Sequence, residues 1–201
     1  MKWQERNKMR LTGWLTIVIF SLSLVQCKNN PNIEGTLYKM KSAPIVVDVS
    51  EYEAVYEPTD VTKRYKQHGC PTYLMYVDSM RCSPCKLSNL PCLDDYRREV
   101  EAKYGRMNFL VIYEPSSSDS VSINDFVDTT SFSIPVYKDC NHVFSRHNGH
   151  IPDEDCYHDF LMDEKGRIIV VGCPILSKKV EQLFQQALDS LFDNPKFISG
   201  A

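Results

Sequence analysis

Blocks of apolar residues recur along the chain, and their period switches between that of a buried strand and that of a helix. After a basic start, residues 11–25 are uncharged and mostly apolar. A run of that length matches the core of an export signal and is short for a helix crossing a ~30 Å hydrocarbon layer. Ile45, Val46, Val47 and Val49 mark a strand, and the Glu- and Tyr-rich stretch behind it a second. Both are expected as extra strands at a sheet edge. Residues 73–77 are continuously apolar, the pattern of a strand buried on both faces. From Pro84 on, Leu87, Leu90, Leu93, Tyr96 and Val100 recur every three or four residues and define one helix face. Pro91 is placed to kink that helix and Gly105 to end it. Residues 107–113 make a second buried strand. Strand, helix and strand in this order predict a parallel pair with a right-handed crossover.

The second half is less regular. A mostly polar loop covers 115–120, a short helix is expected over 121–128, and 134–137 is a brief extended piece. Residues 138–156 carry no clear period. Phe160, Leu161 and Met162 then face Ile168, Ile169, Val170 and Val171 across Asp163-Glu164-Lys165-Gly166. That is a hairpin, with Gly166 supplying the positive φ of its turn. Val180, Leu183, Phe184, Ala187, Leu188 and Leu191 mark a strongly amphipathic last helix with Ser177 as its N-cap. Leu183 and Leu188 are both expected to be buried.

Composition narrows the partners more than the fold. The 201 residues, with 8 Gly and 11 Pro, exclude a disordered, collagen-like or polytopic membrane chain. The formal charge is -3. Setting aside the first ten residues, which hold four basic side chains and one acidic, the balance becomes about -6. Such a chain has no general attraction for nucleic acid. Eight cysteines are many for a reduced cytosolic protein. The first, Cys27, directly follows the apolar run. Leu24-Val25-Gln26-Cys27 resembles the signal of a bacterial lipoprotein, although Gln26 stands where a small residue is usual. The resemblance implies removal of residues 1–26 and acylation of Cys27. A 27–35 tether would then join a lipid anchor to one domain at 36–201, with extra strands at 36–69.

Cys82-Ser83-Pro84-Cys85 falls where the first buried strand gives way to a helix. Disulfide exchange needs an exposed, partly ionised thiol. A helix N-terminus favours the thiolate through its unpaired N–H groups and dipole, so Cys82 is the expected attacking thiol. Cys85, one turn on, is the expected resolving thiol, and Pro84 needs no N–H partner there. A static disulfide or half of a zinc site, completed by Cys70 and Cys92, are the alternatives. Cys92 lies seven residues after Cys85 on the same predicted helix face and reads as a small core residue. Cys140 and Cys156 flank the irregular segment and are candidates for a staple. His142, His147 and His150 share that segment with Cys140, which reads as a solvated loop rather than a metal site. Lys63-Arg64-Tyr65-Lys66 reads as a solvated face.

A strand ending in CxxC at a helix start is similar to the thioredoxin superfamily. So is the run Asp159-Phe160-Leu161-Met162-Asp163-Glu164-Lys165-Gly166-Arg167-Ile168-Ile169, which resembles the hairpin of its redoxin-like branch, followed by Val171-Gly172-Cys173-Pro174. The likeness covers roughly residues 73–192. It implies an α/β, thioredoxin-like fold with a central mixed sheet of four to five strands flanked by helices. It also implies a dithiol at Cys82 and Cys85 that works without a cofactor or metal. The chain departs from the pattern in three places. The family's cis-proline would stand near Tyr157, its buried carboxylate where Tyr76 is, and its aromatic residue at Arg81. No peroxidatic motif is present, so peroxidase chemistry is not expected. The function expected is thiol-disulfide exchange with exported protein thiols or disulfides, at a lipid-anchored site facing the periplasm. The alternative is a binding or metal-carrier lipoprotein with a structural or metal-binding CxxC.

Overall fold

A computed structural model describes residues 32–66, 69–80, 83–105, 107–115 and 125–192. The backbone divides into two units, up to Leu37 and from Tyr38 onward. Helix α1, Ile33–Met40, crosses that division. The sheet and the remaining helices belong to the second unit. The boundary proposed at residue 27, and the helix expected over 121–128 as far as residue 124, lie outside the described residues.

Strands β2 (Thr72–Val77) and β3 (Asn108–Tyr113) lie at the centre, and all twelve positions are buried. They pair in parallel from Thr72 against Asn108 to Val77 against Tyr113. Their unbroken apolar pattern follows from having both faces covered. One face carries Tyr73, Met75, Val77, Phe109 and Val111 into a cluster with Leu90, Leu93, Phe184 and Leu188 from two helices. On the other face the ring of Tyr76 lies 4.3 Å from that of Phe144. Outward from β3 come β4 (Val136–Lys138), parallel to it, and the edge strand β1 (Glu53–Tyr56), antiparallel to β4. Outward from β2 come β5 (Asp159–Met162) and β6 (Ile168–Val171), both antiparallel to their neighbours.

The sheet order is therefore β1-β4-β3-β2-β5-β6. A β-α-β crossover followed by a β-hairpin and a final helix is the thioredoxin-like arrangement. Six strands replace the expected four to five, because the N-terminal segment adds β1 at the edge. Among the described residues only that one strand forms in the segment, and residues 44–48 do not join the sheet. Their polar backbone is satisfied elsewhere. The Ile45 N–H donates to the Gly166 carbonyl at 2.8 Å, and the Asn148 side chain bonds both backbone groups of Val46.

The long helix after the CxxC also differs from expectation. It is two helices, α2 (Ser83–Leu87) and α3 (Leu90–Tyr104), parted by a turn at Ser88 and Asn89. Pro91 sits in the first turn of α3, where its missing N–H costs nothing, so it begins a helix rather than kinking one. Within α3, Cys92 lies off the buried stripe of Leu90, Leu93, Tyr96 and Val100. Cys92 is exposed and free instead of lying in the core. The segment without clear period contains a short helix, α4 (Val143–His147). Its first N–H groups, those of Val143 and Phe144, donate to the buried Asp139 carboxylate. Cys140 and Cys156 are free and exposed, so no staple joins them. The hairpin turn is as expected, with Gly166 at φ 76°. A Cβ there would stand 2.7 Å from the Ile45 carbonyl oxygen.

The last helix, α5 (Lys178–Phe192), follows Ser177 and packs Phe184 and Leu188 into the core. Leu183 is 51% exposed against 1% for Leu188, contrary to expectation. At 3.6 residues per turn, Leu183 lies about 120° from the midpoint of Phe184 and Leu188.

Candidate functional site

Cys82 and Arg81 lie outside the described residues, as does Cys27. Cys85 is described, in α2 directly behind the C-terminal end of β2, and it is disulfide-bonded. Cys70, Cys92, Cys140, Cys156 and Cys173 are free. Among the described residues no group of three or more His, Cys, Asp or Glu is arranged to hold a metal ion.

A buried polar cluster lies beside α2. Lys86, the residue after Cys85, places its ammonium 3.2 Å from Asp159 Oδ2 and 3.1 Å from Asp155 Oδ1. The second contact is an ion pair without hydrogen-bond alignment. Asp159 opens β5 and is 2% exposed. Its Oδ1 accepts the Tyr73 hydroxyl at 2.7 Å, and that hydroxyl stands 3.7 Å from Cys173 Sγ. Burial pushes the Asp159 carboxyl above the usual carboxylate range, against the lowering pull of Lys86 and Tyr73. Burial would lower the Lys86 ammonium, but the Asp159 charge and the neighbouring Asp155 outweigh it and raise its pKa. The Cys173 thiol is pushed up to about 11, first by burial and then by the Asp159 charge. It stays protonated at neutral pH.

A second polar group lies on the opposite face of β2. Tyr76 donates its hydroxyl to Glu114 Oε1, and His142 Nδ1 lies 2.9 Å from Glu114 Oε2. Asp78, at the end of β2, accepts the Met80 N–H at 2.8 Å. Its other oxygen is 3.3 Å from His158 Nδ1. His158 precedes β5 and follows Tyr157, near which the family pattern puts its proline, and no cis peptide occurs among the described residues.

The sequence reading missed both polar groups. The family's carboxylate position is Tyr76, yet buried carboxylates flank it, Asp159 from β5 and Glu114 from the end of β3. A signal was present in Asp159, a charged residue opening an otherwise apolar strand. Nothing in the local pattern couples it to Lys86, 73 positions earlier. The histidines of the irregular segment do not converge: His142 pairs with Glu114, while His147 lies 3.8 Å from Glu51.

No protein-family model and no curated protein matches the chain by sequence. Solved structures do match. A protein described as a thiol:disulfide interchange protein DsbE, from Chlorobium tepidum, is 19% identical, covering 73% of this chain and 98% of its own, with a TM-score of 0.42. The N-terminal domain of PilB from N. meningitidis is 16% identical over 74% of this chain and 94% of its own, at 0.43. Yeast Sco1 is 16% identical over 74% and 98%, also at 0.43.

Proposed function

We propose that this thioredoxin-like chain is a thiol-disulfide oxidoreductase of the bacterial cell envelope, acting on exported proteins through Cys82 and Cys85. The observation that carries the proposal is Cys85, disulfide-bonded at the helix that follows the central strand, with Lys86 next in the chain and paired to buried Asp159. In the reducing direction the Cys82 thiolate attacks a client disulfide. A Cys82–client bond forms, the client S–S bond breaks, and one client thiolate leaves. Cys85, deprotonated, then attacks the Cys82 sulfur and releases the second client thiolate, leaving the protein oxidised and the client reduced. The reverse sequence oxidises a client dithiol. No metal or cofactor enters either direction.

Lys86 follows Cys85 in the chain, and its ammonium is held by Asp159 and Asp155. The lipid anchor at Cys27 would hold the domain at a membrane with access to exported proteins.

Trapping tests the reading. Cys85→Ser should accumulate mixed disulfides with exported proteins, and Cys82→Ser should accumulate few. In reduced, metal-free protein Cys82 should be alkylated much faster than Cys85 near pH 7. Equal, slow alkylation of the two thiols, with no trapped partner in either variant, would sink the proposal. Metal copurifying with both thiols, released together with their reactivity by a chelator, would establish the carrier alternative instead.

A further inference from the structure

Residues 44–48 run as a strap outside the sheet, and one side chain latches them. Ile45 and Val47 are buried, and Ile45, Val46 and Val47 wall a recess of about 150 Å³ with Cys70 and Thr72. The latch is Asn148, 1% exposed, just past the end of α4. Its Oδ1 accepts the Val46 N–H at 2.8 Å. Its Nδ2 donates to the Val46 carbonyl at 2.9 Å and to the Phe144 carbonyl at 3.0 Å. A second tie runs from the Ile45 N–H to the Gly166 carbonyl.

The residue after Asn148 is glycine, and this is the single Asn-Gly step in the 201 residues. Asparagine before glycine is prone to deamidation, because no Cβ hinders the next backbone nitrogen in attacking the side-chain carbonyl. The Gly149 nitrogen, giving its proton to base, bonds to Asn148 Cγ; the Cγ–Nδ2 bond breaks and ammonia leaves. Water then opens the cyclic imide at either carbonyl and leaves an aspartate or an isoaspartate.

The docked strap opposes the first step in two ways. With ψ at 40°, the Gly149 nitrogen lies nearly opposite Asn148 Cβ, whereas the five-membered imide needs the two eclipsed. The amide itself is pinned by three hydrogen bonds, two of them to Val46. The product, in turn, cannot rebuild the latch. An oxygen replaces the donating nitrogen and would face the Val46 and Phe144 carbonyls acceptor against acceptor, with a charge in a buried place.

We propose that Asn148 is a deamidation site gated by the strap. It stays intact while residues 44–48 are docked, reacts when they lift, and once converted leaves them undocked. A transient opening thus becomes permanent release, uncovering the recess at Cys70. The inference is independent of thiol chemistry at the CxxC.

Ageing of the purified protein near pH 8 tests it, with peptide mass mapping at Asn148 and hydrogen exchange across residues 44–48. Conversion in the folded protein should be at least about tenfold slower than in the urea-unfolded chain. Ile45→Ala removes a buried strap side chain but none of the Asn148 hydrogen bonds, and should speed conversion in the folded protein on the order of tenfold. The converted fraction is more negative and separable by ion exchange. In it residues 44–48 should exchange as fast as an unstructured peptide, and Cys70 should alkylate faster, while β2 and β3 keep their protection. Asn148→Asp should show that pattern from the start; where it does not accumulate as folded protein, the converted wild-type fraction gives the reading. Equal conversion rates in folded and unfolded chains, or no acceleration by Ile45→Ala, would overturn the gating. A converted protein whose strap stays protected would overturn the latch. So would loss of protection in β2 and β3 together with the strap, since Asn148 would then hold the whole fold and not one segment.

Discussion

At the scale of single residues, the ammonium of Lys86, next to Cys85 in α2, is held by a carboxylate that another strand supplies. Lys86 and Asp159 are largely removed from water, so each depends on the other. Breaking one side of such a pair costs about 3–5 kcal/mol when the remaining charge stays buried. Lys86→Met is expected to cost less, because Asp159 already has a raised pKa and can take a proton instead. The pH dependence fixes the sign. A carboxyl raised on folding contributes stability below its unfolded value of 3.8, and that contribution is lost as pH rises through the folded value. Removing Lys86 raises Asp159 further, so the destabilisation of Lys86→Met should grow from acid towards neutral pH in urea titrations. A gap that stays constant with pH would show that the Asp159 charge is not its source. The free thiols provide a second prediction. Brief alkylation of the native protein at pH 8, read by peptide mass mapping, should label exposed Cys92, Cys140 and Cys156. Cys173, held to about 11, should remain largely unlabelled.

At the scale of elements, legibility depended on whether a segment's surroundings were written into its own pattern. Strands β2 and β3 were readable because two covered faces demand an unbroken apolar run, and the hairpin because its turn demands a glycine at positive φ. Residues 44–48 have the same apolar look, yet no described strand pairs with them. Their hydrogen bonds go to a turn carbonyl and an asparagine side chain about 100 positions or more away. The helix break at Ser88 and Asn89 was equally hidden, because an apolar period of three to four continues on either side of it. Helix α5 offers a direct test of facing. Leu188→Ala should cost about 2–5 kcal/mol, and Leu183→Ala under ~0.5 kcal/mol, in denaturant unfolding. Equal losses at the two positions would mean that the helix presents a different face to the sheet.

At the scale of the whole molecule, the crossover and the hairpin bring three distant stretches to one end of the central strands. The thiol motif follows β2, Glu114 follows β3, and His158 precedes Asp159, the first residue of β5, whose antiparallel direction returns its start to that same end. The sequence by itself determined the β-α-β core, the hairpin and the closing helix. Each is a matter of local period, turn chemistry or spacing, and each is stabilised by apolar burial that any neighbour of suitable shape provides. Only the tertiary structure decided that the hairpin packs against β2 in the register placing Asp159 at Lys86 and His158 at Asp78. Hydrophobic burial is non-directional and proportional to area, so it leaves a record in the pattern of a single segment. Ion pairs and hydrogen bonds act over a few ångströms between particular atoms, and residues 73 or 80 positions apart meet only when the strands that carry them have been placed.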